Sequence, residues 1–406
     1  MAVHLEGIDI VHPDSYADGV PHETFARLRR EAPVHRHEQP GASPFWAITR
    51  YRDIVSVSRD WATFSSERGG ALLGEPSEEA LATQRLMMLN MDPPRHTKLR
   101  ALVNKGFTPR QIGLLTEPVR RVCNELVDAV ATRGTCDFVT EIAAELPLQV
   151  IAELLGIPQA DRHQVFEWSN TMVGSDDPEW RGTPEDAQNA AMSMYGYANE
   201  LVQQRKDSPR DDLVSVLMQA EVDGEHLTEM EFDLFFLLLA VAGNETTRNL
   251  ISGGMLALIQ HPDERRRLSE DRSLLDTAVE EMLRWVTPVM QFQRTAQRDT
   301  EVAGVPIAEG ERVAMYYVSA NRDETVFDEP MRFDVGRSPN EHLTFGAGGP
   351  HFCLGNSLAK LEIRTVFDVL LDRLPDVGLA APPRKLRSNF LNGIKSMPVQ
   401  FTPAPA

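Results

Sequence analysis

The chain has 406 residues, 42% of them hydrophobic, and a formal net charge of −19 at pH 7. That supplies a large core, and the acidic excess argues against nucleic acid as a partner. Its cysteines, Cys123, Cys136 and Cys353, are too few and too odd in number for a disulfide framework, and they suit a reducing compartment.

Met1 to Ser15 is polar and charged, without a signal-type apolar region. The longest apolar run, Leu234 to Gly243, is shorter than the roughly 18 residues a membrane span needs. The expectation is a cytoplasmic protein with no membrane anchor. Without a linker, repeat or low-complexity block, residues 1–406 are expected to form one domain.

In chain order, a short helix is predicted around Glu23 to Arg30, with strand-like pieces at Phe45–Ile48 and Ile54-Val55. From about residue 97 the apolar periodicity is helical. Thr108-Pro109 reads as an N-cap followed by proline at the first helical position. Amphipathic segments follow near 110–132, 141–155, 160–174 and 186–204. Thr228 and Glu231 have capping-box spacing, and the helix they open runs to about Gln260, where His261-Pro262 stops it. At ~1.5 Å per residue it spans about 45 Å. Such a long apolar helix crosses the middle of a molecule. Strand signals return over 301–318, with Glu309-Gly310 as a turn, and Asn392-Gly393 is a hairpin signal. The fold class is mainly α with small β-sheets at the edge, over about 35–65, 301–318 and 380–402.

Four groups of residues carry chemistry. Cys353 ends the run Phe345-Gly346-Ala347-Gly348-Gly349-Pro350-His351-Phe352 and leads into a helical pattern. Glycine permits close backbone approach, and a helix start favours a thiolate. That suits a thiolate holding a metal against a planar cofactor; the plainer reading is a buried cysteine beside a turn. The stretch Ala242-Gly243-Asn244-Glu245-Thr246-Thr247 puts a carboxylate and two hydroxyls inside an apolar helix, which is costly unless used. Threonine back-bonding can bend such a helix. The alternatives are an oxygen-binding kink with Glu245 and Thr246 delivering protons, or a polar patch against a loop. Glu281 and Arg284 share a helix face, and Arg337 can join them. His96 and Arg100, at i and i+4, with Arg294 and His351, are four candidate cations for an acidic cofactor; singly, each also reads as a surface cation.

Assembled in this order, the motifs resemble the cytochrome P-450 family, haem-thiolate monooxygenases of the soluble bacterial type. The cysteine loop is similar to the family's Phe-Gly-x-Gly-x-x-x-Cys-x-Gly signature, with one extra residue between Phe345 and Cys353. The resemblance implies haem b with Cys353 thiolate as metal ligand, Phe345 beside the haem, and backbone N–H groups around Leu354 and Gly355 tuning the sulfur. It implies Glu245 and Thr246 as catalytic residues. His96, Arg100, Arg294 and His351 would hold the propionates, and Glu281, Arg284 and Arg337 would be structural. Substrate-pocket residues implied by it are Leu72, Leu73, Met87, Met88, Met172, Val173, Leu238, Val241, Ala242, Val289, Met290, Phe292, Phe390 and Leu391.

No flavin or iron–sulfur segment is evident, so a ferredoxin and its reductase are the expected electron donors. Arg95, Lys98, Arg100, Lys105 and Arg110, with Lys360 and Arg364, suggest a basic docking patch. The motif spelling is most similar to sterol and branched-lipid hydroxylases, implying insertion of one atom of O2 into a C–H bond of a sterol, terpenoid or methyl-branched lipid. A macrolide-tailoring hydroxylase, a peroxide-using or non-oxygenase haem-thiolate enzyme, and a non-catalytic haem carrier are the alternatives.

Overall fold

The long helix forms as its cap requires. The Thr228 backbone N–H donates to Glu231 Oε2 at 3.0 Å, and the Glu231 N–H donates back to Thr228 Oγ1 at 3.2 Å. In the computed structural model the helix then runs unbroken from Glu229 to Gln260, 32 residues. The described residues are all but 1–4, 6, 39–41, 174–178, 180–182, 209, 211, 222 and 406, with the side chains of Val173 and Pro184 also outside the described set.

The elements that place the site, in chain order, are β1 (Val34–His37), β2 (Phe45–Ile48), α1 (Tyr51–Arg59), β3 (Phe64–Ser65) and α2 (Arg95–Val103). Then come α3 (Thr116–Ala131), α4 (Glu145–Leu155), α5 (Arg162–Val173), α6 (Pro184–Asp207), α7 (Glu229–Gln260) and α8 (Leu275–Val286). The chain continues with β4 (Gln291–Ala296), β5 (Arg312–Tyr316), α9 (Asn356–Arg373), β6 (Arg384–Lys385) and β7 (Ile394–Ser396).

Helices α4, α6, α8 and α9 pack around α7. Its residues are buried on most faces, so it shows no amphipathic stripe. Each fully buried Leu, Ile or Phe there contributes roughly 1.5–3 kcal/mol. Gly243 has a steric reason: a Cβ there would stand 2.5 Å from Ile151 Cδ1, so glycine lets α4 lie close against α7. That contact offsets the roughly 1 kcal/mol a mid-helix glycine costs.

One sheet has the order β1-β2-β5-β4-β3. Strands β2 and β5 are parallel, while β1/β2, β5/β4 and β4/β3 are antiparallel. Its core is separate from the helical one and includes Ile48, Ile54, Val313 and Met315.

Two local expectations are corrected. Ile54-Val55 is helical, inside α1, where Ile54, Val57 and Ser58 form a buried face at helical spacing. Asn392-Gly393 is not a two-residue turn: β6 and β7 pair across the longer connection 386–393. Gly393 is needed elsewhere, because a Cβ there would meet Asn249 Oδ1 at 2.8 Å. The Thr108 cap forms as expected, its Oγ1 accepting from the Gln111 N–H at 3.3 Å. Among the described residues no helix is long and apolar enough to cross a membrane.

Candidate active site

Between α7, α9 and the loop ahead of α9 lies a cavity of about 1530 Å³, counting its solvent-open margin. Cys353 lines it; Cys123 and Cys136 do not.

The cysteine loop is closed by its own backbone: the Cys353 N–H donates to Phe345 O at 2.9 Å. The extra residue is absorbed by two consecutive left-handed glycines, Gly348 and Gly349, at φ +85° and +81°. They lie on the end of α1, where Ser58 Oγ donates to Gly348 O at 2.9 Å. A Cβ on Gly349 would stand 2.6 Å from Ser58 O. Gly355 then serves as N-cap of α9, and its backbone N–H donates to the Cys353 sulfur. Burial pushes the Cys353 thiol up, while that N–H and the Arg100 guanidinium draw it down. A metal ion bound at this sulfur would deprotonate it outright.

His96, Arg100, Arg294 and His351 all line the same cavity, with Phe345. Arg294 is 5% exposed and makes no ion pair among the described residues; its Nη1 donates to the adjacent Gln293 O at 2.7 Å. Arg100 Nη1 donates to Pro350 O at 3.3 Å. The His96 and His351 rings lie 4.3 Å apart, and His96 Nδ1 is buried without a hydrogen-bond partner among the described residues. Burial, aided by Arg100, lowers His96 to about 4. His351 Nε2 lies 3.1 Å from Ser66 Oγ, and the Ser66 N–H donates to Asp92 Oδ1 at 2.9 Å. His96 and His351, lowered by burial, offer neutral ring N–H donors, whereas guanidinium groups taken out of water without a counter-charge are costly. A planar group with two carboxylates, its metal facing Cys353, would satisfy them, and the donor set fits haem.

Across the cavity, α7 presents Leu238, Ala242, Gly243, Thr246 and Thr247. Thr246 Oγ1 donates to Ala242 O at 2.7 Å, the expected back-bond, yet the helix stays continuous rather than broken. Glu245 does not stand beside Thr246 in the cavity. Neighbouring helix residues point about 100° apart, and Glu245 is 3% exposed, its Oε2 accepting from Arg248 Nη2. Burial raises its carboxyl and Arg248 opposes that shift.

Of the expected pocket residues, Met88, Leu238, Ala242, Val289 and Phe292 line the cavity. The others do not. Leu72 is 47% exposed on a surface loop, and Leu73 and Met290 pack with Ile10 and Tyr16 in a core near the N-terminus. Met87, Met172 and Val241 pack against the helical core. Phe390 and Leu391 form an outer layer, Phe390 against Phe292 with ring centroids 5.6 Å apart and Leu391 bridged to Val289. The side chain of Val173 lies outside the described residues.

Among the cavity residues that escaped sequence reasoning are Glu362, Tyr317 and Thr344. A signal existed for the first, because Leu358, Ala359 and Glu362 share one face of α9 at helical spacing. For Tyr317 and Thr344, which follow a strand and a loop, no periodicity was present.

Behind the site, Glu281 and Arg284 are fully buried, not solvated. Arg284 Nε and Nη2 donate to the two Glu281 oxygens at 2.8 and 2.7 Å, and Arg337 Nε donates to Glu281 Oε2 at 3.1 Å. Arg284 also holds the carbonyls of Asn321, Pro330 and Arg332, bracing the segment ahead of the cysteine loop.

Comparison with known proteins agrees with this geometry. The family described as "Cytochrome P450" matches residues 12–375. A steroid C26-monooxygenase of Rhodococcus jostii is 45% identical over 98% of this chain and 86% of its own. A methyl-branched lipid omega-hydroxylase of Mycobacterium bovis is 41% identical over 98% and 96%. The structure of Mycobacterium marinum cytochrome P450 CYP268A2 in complex with pseudoionone superposes with a TM-score of 0.91 at 40% identity, over 98% of this chain and 99% of that one. A cavity that joins one cysteine, a cationic wall and a long helix thus has its counterpart in known haem proteins, and the chain belongs to the cytochrome P450 family as a haem-thiolate monooxygenase.

Proposed function

We propose that this monooxygenase hydroxylates the branched, apolar end of a sterol side chain or a methyl-branched lipid. The observation that carries this is the wall opposite Cys353: Met88, Leu238, Ala242, Val289 and Phe292 offer apolar surface, and Thr246 and Thr247 bring the hydroxyls of α7 to it. Such a wall selects by shape and burial rather than by polar anchoring. The two relatives described above are named for sterol and branched-lipid oxidation, which supports the same class.

In this reading Cys353 is the metal ligand, with Gly355 N–H on its sulfur. Arg100, Arg294, His96 and His351 hold the two propionates. Haem with a thiolate ligand supplies the oxygen activation that inserts one atom into a C–H bond and releases the other as water. The chain's own work is to bind and orient the substrate, keep the apolar wall dry, and pass protons. Thr246 holds a hydroxyl at the cavity surface. Glu245 would reach it only after leaving Arg248.

Electrons come from a redox partner, and we infer a ferredoxin served by a ferredoxin reductase. The supporting patch is smaller than its sequence suggests. Lys98 pairs with Glu225, Lys360 with Glu280 at 2.6 Å and Arg364 with Asp276 at 2.6 Å. Lys105 is bound to Glu221 O at 2.6 Å. Arg95 and Arg110 remain exposed in that stretch.

The test is a spin-state titration of the purified holoenzyme against sterols, terpenes, methyl-branched fatty acids and macrolides, followed by product identification. A shift with sterols or branched lipids and a terminal-hydroxyl product is expected. A shift confined to macrolides would overturn the substrate assignment.

A further inference from the structure

Three segments of the chain meet on one aromatic ring. Phe345 lines the cavity at the start of the cysteine loop, and its carbonyl accepts the Cys353 N–H at 2.9 Å. Lys360, on α9, places its Nζ 5.5 Å from the centre of the Phe345 ring, within cation–aromatic range. His342, just ahead of Phe345, packs its own ring there with centroids 6.0 Å apart.

Glu280, on α8, joins these two neighbours. Its Oε1 lies 2.6 Å from Lys360 Nζ, and its Oε2 lies 2.9 Å from His342 Nε2. The Thr344 N–H donates to His342 Nδ1 at 3.3 Å, so Nε2 carries the proton that Glu280 accepts. Burial works against the Glu280 charge, but the hydrogen bonds from His342 and Lys360 outweigh it and hold the carboxyl below its ordinary range. The next residue, Glu281, accepts from Arg337 and Asn340. Adjacent glutamates of one helix thus clasp the 337–345 segment at separate points. The His342 side chain is 4% exposed, while those of Glu280 and Lys360 are 32% and 39% exposed, so the cluster reaches from the surface to the ring. An ion pair at the surface contributes little by itself. This one differs because both groups that the carboxylate holds touch the same ring.

We propose that Glu280 is a positioning residue for the metal site: it holds Lys360 and His342 on the Phe345 ring, and through Phe345 it sets how readily a haem iron on Cys353 is reduced. Phe345 reaches the cysteine in two ways. Its carbonyl fixes the Cys353 N–H, and its ring shares the cavity wall with Cys353. Groups that orient a ligand's surroundings in this way tune the metal. The inference rests on Cys353 as the iron ligand, which the wild-type ferrous–CO spectrum tests by itself.

The experiment measures the midpoint potential of the holoenzyme for wild type, Glu280→Gln, Lys360→Met and the double variant. A plain charge effect moves the two single variants in opposite directions, because one loses a negative charge and the other a positive one. The proposal requires the same direction, since either change takes Lys360 off the ring, and a double-variant shift about equal to the larger single one. Each shift should be about 2-fold or more in the ferrous-to-ferric ratio at fixed potential, the scale of a half-exposed cation–aromatic contact. Lys360→Arg keeps the charge on the ring and should stay near wild type. Shifts of opposite sign, additive shifts, or a shift absent from either single variant overturn the proposal. Should Glu280→Gln not retain haem, Lys360→Met decides in two backgrounds. A shift that vanishes when Phe345→Leu is also present sustains the proposal, and one that persists undiminished overturns it.

Discussion

Glu245 and Arg248 lie one turn apart on α7 and are joined by a carboxylate–guanidinium hydrogen bond, each side chain only 4% exposed. The pair removes the expected acid from the cavity while Thr246, the next residue, faces it. Stability and chemistry are therefore set by neighbours on different faces of one helix.

Arg248→Met should leave the Glu245 charge buried without its partner. The expected cost is about 3–5 kcal/mol, and replacing both residues by apolar ones of similar volume should recover most of it. Denaturant midpoints of Arg248→Met and Glu245→Leu/Arg248→Met measure this. A single-mutant cost below about 1 kcal/mol would show that the pair behaves like a solvated one.

The cysteine loop turns on Gly349, which has φ +81° and no space for a Cβ against Ser58 O. Gly349→Ala should cost at least the roughly 1–3 kcal/mol of a strained backbone position and shift part of the ferrous–CO spectrum away from the thiolate form. Denaturant unfolding and the ferrous–CO spectrum measure this. A Gly349→Ala protein with wild-type stability and spectrum would refute the account of the extra loop residue.

These positions show where the sequence was legible. Local signals with one geometric meaning carried through: the Thr228–Glu231 box, the Thr108 cap and the turn at Gly310 all form. Side-chain direction did not read as well. Glu245 and Thr246 are adjacent letters, but one turns to Arg248 and the other to the cavity. Met290 and Phe292 are near neighbours, yet they feed different cores. Glu362 stayed hidden although Leu358 and Ala359 share its helix face, because the rest of the cavity wall around it comes from segments distant in sequence. The Glu281–Arg284 spacing alone read as a common helix-face pair that Arg337 could join; the fold adds the 321–332 carbonyls and the complete burial of the pair.

Thr246 is a test of the distal wall. Thr246→Ala removes the hydroxyl that bonds Ala242 O and stands at the cavity. Product formed per reduced nicotinamide consumed should fall several-fold while oxygen uptake persists, and Thr246→Ser should retain most of the coupling. The helix itself should be unharmed, since alanine is the better helix former by a few tenths of a kcal/mol. Unchanged coupling in Thr246→Ala would remove its proposed part in proton delivery.

His22, which does not line the cavity, sets an acid limit. Burial, with Arg322, Arg29 and Arg284 nearby, lowers it to about 3. Its Nδ1 is buried without a hydrogen-bond partner among the described residues. The unfolded chain takes up this proton near pH 6.5, and the folded chain resists it. The unfolded state therefore binds more protons between the two values, and stability from this group, complete above about pH 6.5, drains away as pH falls toward about 3. By about pH 5 the wild type should have lost about 2 kcal/mol through His22 alone. His22→Gln cannot titrate and should show that much less loss between about pH 7.5 and pH 5 in denaturant unfolding. Parallel stability curves for the two proteins would mean that His22 takes up its proton in the folded state as readily as in the unfolded one.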